Sequence, residues 1–237
     1  MAGANSSPTR RKPNDAAGAG NPPGPRRSGL VQERSRRTRQ QLVDAAVQLW
    51  TERGFEKGVE ETTVEEIVQA AGVTKGTFYF HFAHKEDILL EVGWGTSEAL
   101  FKDVTKALAQ DRSVDDVLDG LLVLLARRIS ATPRAAVART IAEFYRRPDH
   151  GRDLAGEHFG FQRSFGVVFF HAQEAGQLPA LMDARSLGEM LSSLTMGAIH
   201  AWIGDREADL ASALRFRASL LLAGVREMSP AGASAAF

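Results

Sequence analysis

The sequence predicts an all-α protein with a helix-turn-helix near its N-terminus. Three observations lead there. Residues 62–82, TTVEEIVQAAGVTKGTFYFHF, read as two short helices joined by a tight turn. From Lys85 to Met228, apolar residues return at helical spacing and no strand alternation breaks the pattern. A hydrophobic content of 43% in 237 residues is enough for a real core, in one large domain or two small ones.

Composition narrows the function classes. The chain has no cysteine, which excludes disulfides, thiolate catalysis and Cys-ligated metals. No apolar run reaches the length of a membrane span, and the N-terminus lacks the apolar segment of a secretory signal. A soluble, cytoplasmic protein is expected. Net charge is zero but unevenly spread. Residues 1–40 hold nine Arg and Lys against Asp15 and Glu33, a net +7, so the rest of the chain carries −7. The basic head suits a polyanion, and the acidic body would repel one.

Residues 1–30 are rich in Gly, Pro, Ala, Ser and Asn, and are expected to be disordered because they cannot bury enough surface to offset ordering entropy. They fit an inert solubilising tail or a basic arm on DNA. The first helix is predicted from Gln32 to Arg53, with Leu42, Ala45, Ala46, Leu49 and Trp50 on its apolar face and Gly54 ending it. Arg34, Arg36, Arg37 and Arg39 crowd its first turns. A helix N-terminus disfavours cations, so a nearby anion is the natural compensation, and phosphate is a good candidate. The alternative is a solvated basic end.

The next helix opens on a Thr cap, Thr62 or Thr63, with Glu65 and Glu66 at capping-box distance. Val64, Ile67, Val68 and Ala71 form its apolar stripe, and Gly72 suits the left-handed end. Thr74 caps the second helix. At about 100° per residue, Phe78 and Phe82 share an apolar edge. Gly76, Thr77, Phe80 and His81 lie on the opposite side, with Lys75 and Tyr79 at the border. The first pair is expected in the core and the second set in a DNA major groove.

This stretch resembles the DNA-binding signature of the TetR family of bacterial transcriptional regulators. The resemblance rests on the Thr pair 62–63, Ile67, residues 70–73 (AAGV), residues 75–79 (KGTFY), His81-Phe82 and Lys85-Glu86, and it covers about residues 36–95. Beyond that it is architectural. It implies a three-helix DNA-binding domain, a C-terminal helical ligand-binding and dimerisation domain, a palindromic operator and a small effector that releases the DNA. The implied boundaries are a tail at 1–32, the DNA-binding domain at 33–92 (motif 63–82), the effector and dimerisation domain at 93–228, and a frayed end at 229–237. The implied DNA contacts are Thr63, Thr74, Lys75, Gly76, Thr77, Tyr79, His81 and Lys85. Two departures stand out: Phe80 occupies a position that is often polar or a hydrogen-bonding aromatic, and the loop EKGVEE (56–61) is a few residues longer than usual.

Helices are then expected over 85–110, from Ser113 with Asp116 completing its cap, from Pro133 to about 147, over 151–175, over 183–204 and over 207–228. The 151–175 helix concentrates Phe159, Phe161, Phe165, Phe169 and Phe170. With Trp94, Phe101, Phe144 and Tyr145 they fit an apolar ligand pocket or an ordinary aromatic core. Glu143, Glu157, His158 and His171 are candidates to orient a polar ligand end. The histidines have no compact ligand spacing, so no metal site is expected. The apolar stripes of the last two helices suit a four-helix dimer interface, the family's usual one, and equally suit packing within one chain.

A dimeric repressor is the leading expectation, with no cofactor. An activator of the same fold differs only in where its operator lies. An all-helical enzyme ranks below both, because the sequence has no nucleophile–base pair, no paired carboxylate site and no phosphate loop.

Overall fold

The computed structural model describes residues 27–146 and 161–228. Ten helices occupy them: α1 (Arg27–Glu52), α2 (Phe55–Glu61), α3 (Val64–Ala71), α4 (Lys75–His81), α5 (Asp87–Leu108), α6 (Val114–Ser130), α7 (Arg134–Arg146), α8 (Gln162–Glu174), α9 (Ala184–Gly204) and α10 (Leu210–Glu227). No strand occurs among the described residues. The tail up to residue 26, the 151–160 part of the expected aromatic helix and the end at 229–237 lie outside them.

The chain divides into two units, residues 1–38 and 39–237. In the first, the described residues belong to α1, which begins at Arg27 rather than Gln32. An exposed Glu33–Arg37 pair at 3.7 Å, spaced i,i+4, favours helix there. Arg34 and Arg36 are exposed.

The second unit contains two apolar clusters. One joins Leu42, Ala46 and Trp50 of α1 to Phe55 and Val59 of α2, Ile67 and Val68 of α3, Phe78 of α4, then Phe82, Ile88 and Leu89. Ala136 of α7 is buried in the same cluster. The other is built by α5 to α10 around Leu118, Leu122, Phe165, Phe169, Leu187 and Leu214. Caps follow the sequence expectation. The Ser113 hydroxyl accepts from the Asp116 amide at 3.1 Å, and Asp183 accepts from the Ser186 amide at 2.9 Å. α8 and α9 cross closely, since a Cβ on Gly188 would lie 2.6 Å from the Gly166 amide nitrogen.

The 56–61 segment corrects the sequence reading. With Phe55 it forms the helix α2, and it is not a loop. Phe55 and Val59 sit one turn apart, and both are buried against the α1 cluster. Gly58, a poor helix residue, disguised this helix. It stands there because α2 lies so close to α1 that a Cβ would fall 2.5 Å from the Trp50 carbonyl oxygen.

Gly58→Ala should therefore destabilise the protein by about 1–3 kcal/mol through overpacking against backbone. At Gly76 a Cβ would meet nothing nearer than the Thr74 hydroxyl at 3.8 Å. Gly76→Ala should be neutral or stabilising by up to about 1 kcal/mol, from helix propensity alone. Urea unfolding of both variants checks the contrast.

Candidate nucleic-acid interface

The interface begins at the cap of α3. Of the two candidate threonines, Thr63 is the cap. Its hydroxyl accepts from the Glu66 amide at 3.3 Å, while the Glu66 carboxylate takes the Thr63 amide at 2.8 Å and its hydroxyl at 3.0 Å. Thr62 is buried instead, and its hydroxyl accepts from Arg53 at 3.2 Å. Arg53 also grips both oxygens of Glu66, which binds the end of α1 to the start of α3. The Arg53 guanidinium first, and then the Thr63 amide and hydroxyl, hold the Glu66 carboxyl down to about 2.

Gly72 closes α3 in the left-handed conformation, φ 67°, and Thr74 opens α4, accepting from the Thr77 amide at 3.2 Å. The two faces of α4 match the sequence reading. Phe78 is fully buried and Phe82 nearly so, with ring centroids 5.7 Å apart. Tyr79 is 58% exposed and Phe80 79% exposed. Thr63, Thr74, Lys75 and Gly76 are exposed, and Thr77 and His81 are half-buried. One continuous outward surface thus offers an ammonium, hydroxyls, a bare backbone position and two aromatic rings.

Several cations are already engaged. Lys75 forms an ion pair with Glu65, tying α4 to α3. Arg39, grouped with the basic head on sequence, is a clamp. Its guanidinium donates to the His81 carbonyl at 2.8 Å, pairs with Glu91 of α5 and stacks 4.4 Å over the Phe82 ring. Burial and the nearby Arg39 charge lower the His81 pKa, so its imidazole is neutral near pH 7. The ammonium of Lys85, a DNA contact by resemblance, donates instead to the Glu60 and Thr62 carbonyls at 2.8 and 2.7 Å.

The aromatics expected to line a pocket differ in burial. Phe165 and Phe169 are wholly buried core residues. Trp94 and Phe101 are half-buried, and Phe101 lies 4.3 Å beneath the Arg163 guanidinium. Phe144 is half-buried, and Tyr145 is 64% exposed. Phe161 lines a cavity of about 60 Å³. Its other walls are Val92, Thr96 and Ser97 of α5, Ile129 of α6, Val137, Thr140 and Ile141 of α7, and Met196 and Ile199 of α9. No charged side chain lines it among the described residues. Glu143 is buried and pairs with Arg146 at 2.8 Å, and His171 is exposed. Glu157, His158 and Phe159 lie outside the described residues. Among those described, no cluster of metal-binding residues occurs.

A buried-edge recognition helix on a helical body defines a helix-turn-helix DNA-binding protein. The comparisons agree. The sequence model of the bacterial regulatory proteins, tetR family, matches residues 42–92. The chain is 33% identical over 173 residues to the HTH-type transcriptional regulator SrpR of Pseudomonas putida, covering 72% of this chain and 77% of SrpR. It is 26% identical over 204 residues to the HTH-type transcriptional regulator AcrR of Shigella flexneri, covering 81% and 91%. Among solved structures, Thermus thermophilus FadR, a TetR-family repressor in complex with lauroyl-CoA, superposes with a TM-score of 0.61 at 26% identity, covering 81% of this chain and 96% of FadR. SmeT, the repressor of the Stenotrophomonas maltophilia multidrug efflux pump SmeDEF, shares the fold, with a TM-score of 0.56 at 21% identity over 81% and 93%. The chain belongs to the tetR family of bacterial regulatory proteins and is a DNA-binding transcriptional regulator.

The Glu66 junction makes fold stability depend on pH. Its carboxyl falls from an ordinary 4.5 to about 2 on folding. A depressed pKa contributes stability that is fully present above about 4.5 and is lost as pH falls toward 2. Glu66→Gln should lower the urea midpoint at pH 7, and its midpoint should fall less than that of the native chain between pH 5 and pH 2.5. Parallel curves for the two proteins would remove Glu66 from this role.

Proposed function

We propose that the protein is a homodimeric repressor that binds a two-fold symmetric operator and leaves it when a small, uncharged, largely apolar effector enters the α5–α6–α7–α9 cavity. The observation that carries the DNA reading is α4, whose exposed face bears Lys75, Gly76, Thr77, Tyr79 and Phe80 while Phe78 anchors the other side. Residues 33–92 would read DNA, and residues 93–228 would bind the effector and dimerise.

The uncharged cavity wall favours the effector reading. The lauroyl-CoA complex of FadR supports binding of a small-molecule effector by analogy, with an apolar acyl chain but a charged CoA. For the dimer, Met190 and Leu194 of α9 and Phe216 and Leu220 of α10 are 36–63% exposed, an apolar surface that a second copy would cover. A recognition helix reads few bases, and paired helices read a palindrome. The sign of regulation follows operator position, so an activator remains the second reading.

Selection of bound sites from random DNA tests the proposal directly: palindromic half-sites are expected, and enrichment of single half-sites would overturn it. Phe216→Asp with Leu220→Asp should give a folded monomer by sedimentation, with operator affinity lost and weak general DNA binding kept.

Lys75→Ala and Phe80→Ala should fail differently. Lys75 exchanges the Glu65 carboxylate for a phosphate, and phosphate contacts position without reading sequence. Its loss should weaken operator and random DNA alike and reduce the salt slope by about 0.9. Phe80 has no hydrogen bond to offer, and its base target is a thymine methyl. Phe80→Ala should cost about 1–3 kcal/mol on the operator and little on random DNA. Because the ring is 79% exposed, its melting temperature should be unchanged.

A further inference from the structure

Three features meet at α2. On one side, α7 packs against it: Ala136 is 2% exposed within the cluster that holds Phe55 and Val59, and Arg139 pairs with Glu60 at 3.4 Å. On another, the missing side chain of Gly58 seats α2 against the Trp50 backbone of α1. At its C-terminal end, the Lys85 ammonium holds the Glu60 and Thr62 carbonyls, one residue before the Thr63 cap of the helix-turn-helix. A cation on helix-terminal carbonyls is a favourable arrangement, and it fixes where α2 stops.

The same helix α7 walls the cavity. Val137, Thr140 and Ile141 line it, while Ala136 and Arg139 lie on the neighbouring face toward α2. Arg134 fixes the start of α7 by donating to the Trp202, Asp205 and Arg206 carbonyls at the end of α9. A helix pinned at its first turn, with a cavity on one face and α2 on the next, conveys any displacement at the cavity to α2.

We propose that α2 is the linkage between the cavity and the helix-turn-helix, with Ala136 and the Arg139–Glu60 pair as its input and Lys85 as its output. Lys85 is then a positioning residue for the Thr63 cap and makes no phosphate contact. The competing route runs through α5, whose Glu91 holds Arg39 and whose next residues also line the cavity. The linkage rests on the effector-cavity reading above, and its test is separable from that reading.

The experiment is amide hydrogen exchange at residues 58–66 of the full chain without DNA. The effector is unidentified, so the cavity is filled by substitution: Ile141→Phe from α7, and Ser97→Leu from α5 as a second variant. Filling should raise exchange at the Thr62–Glu66 amides several-fold. The double substitution Glu60→Gln with Arg139→Gln should reduce that rise by at least half. No rise in either filled variant overturns the linkage, and a rise undiminished by the double substitution overturns it and leaves α5 as the carrier. Lys85→Met should raise exchange at the same amides and weaken operator binding with the salt slope intact, and Lys85→Arg should restore both. A slope reduced by about 0.9 would make Lys85 a phosphate contact and overturn its role. Exchange is read without DNA, so an absent operator would defeat the proposed function and leave the linkage to be judged on its own.

Discussion

A seven-residue helix cannot hold itself together in water, and α4 is a seven-residue helix. Nucleating it costs more than its few hydrogen bonds return, so its neighbours must supply the order. Phe78 supplies most of it by full burial among α1, α2 and α3. Phe82 extends the anchor one turn on, beneath the Arg39 guanidinium. Both ends are then fixed by polar bonds, Thr74 at the start and Arg39 on the His81 carbonyl at the finish. With the inner edge committed, the outer edge is free to carry residues chosen for DNA. The exposed Phe80 contributes nothing to this anchor.

The same shortness explains what was legible in the sequence. Short helices need strong local signals, and strong local signals are readable. The Thr63–Glu66 capping box, the left-handed Gly72 and the Phe78/Phe82 spacing follow from residue chemistry over a few positions. What escaped was tertiary. Arg39 looks like one of four clustered arginines, and nothing local sets it apart from Arg36 or Arg37. Its role comes from Glu91, 52 residues away. Arg53 and Lys85 are alike in this respect. α2 escaped for the opposite reason: its local signal was spoiled by Gly58, whose justification is the Trp50 backbone of a different helix.

The ligand end is hard to read in sequence because of size. Phe165 and Phe169 are the kind of residues that line pockets, but large apolar side chains fill space as readily as they enclose it, and here they fill the core. The cavity among α5, α6, α7 and α9 is bounded mainly by Val, Ile, Thr and Ser. Such residues look like ordinary helix packing on sequence. Thr96 and Ser97 even bond their own helix, to the Val92 and Gly93 carbonyls at 3.2 and 3.4 Å. Cavities are defined by what is absent between elements, and no single helix encodes that.

Charge placement links the two ends of the chain. Around the helix-turn-helix, Arg39, Arg53, Lys75 and Lys85 are each committed to a carboxylate or a carbonyl, and His81 is neutral. A committed cation gains less from phosphate than a free one, because it must first leave its partner. The body beyond residue 40 is net negative, which opposes approach to DNA. Sequence-independent attraction from these four cations is weakened to that extent. Arg34 and Arg36 are exposed on α1, and the residues before them carry five more cations against Asp15 and Glu33. On this balance the cations nearest α4 are held within the fold, while the first 40 residues of the sequence carry a net +7. The zero net charge of the whole chain is then the sum of two parts of opposite sign.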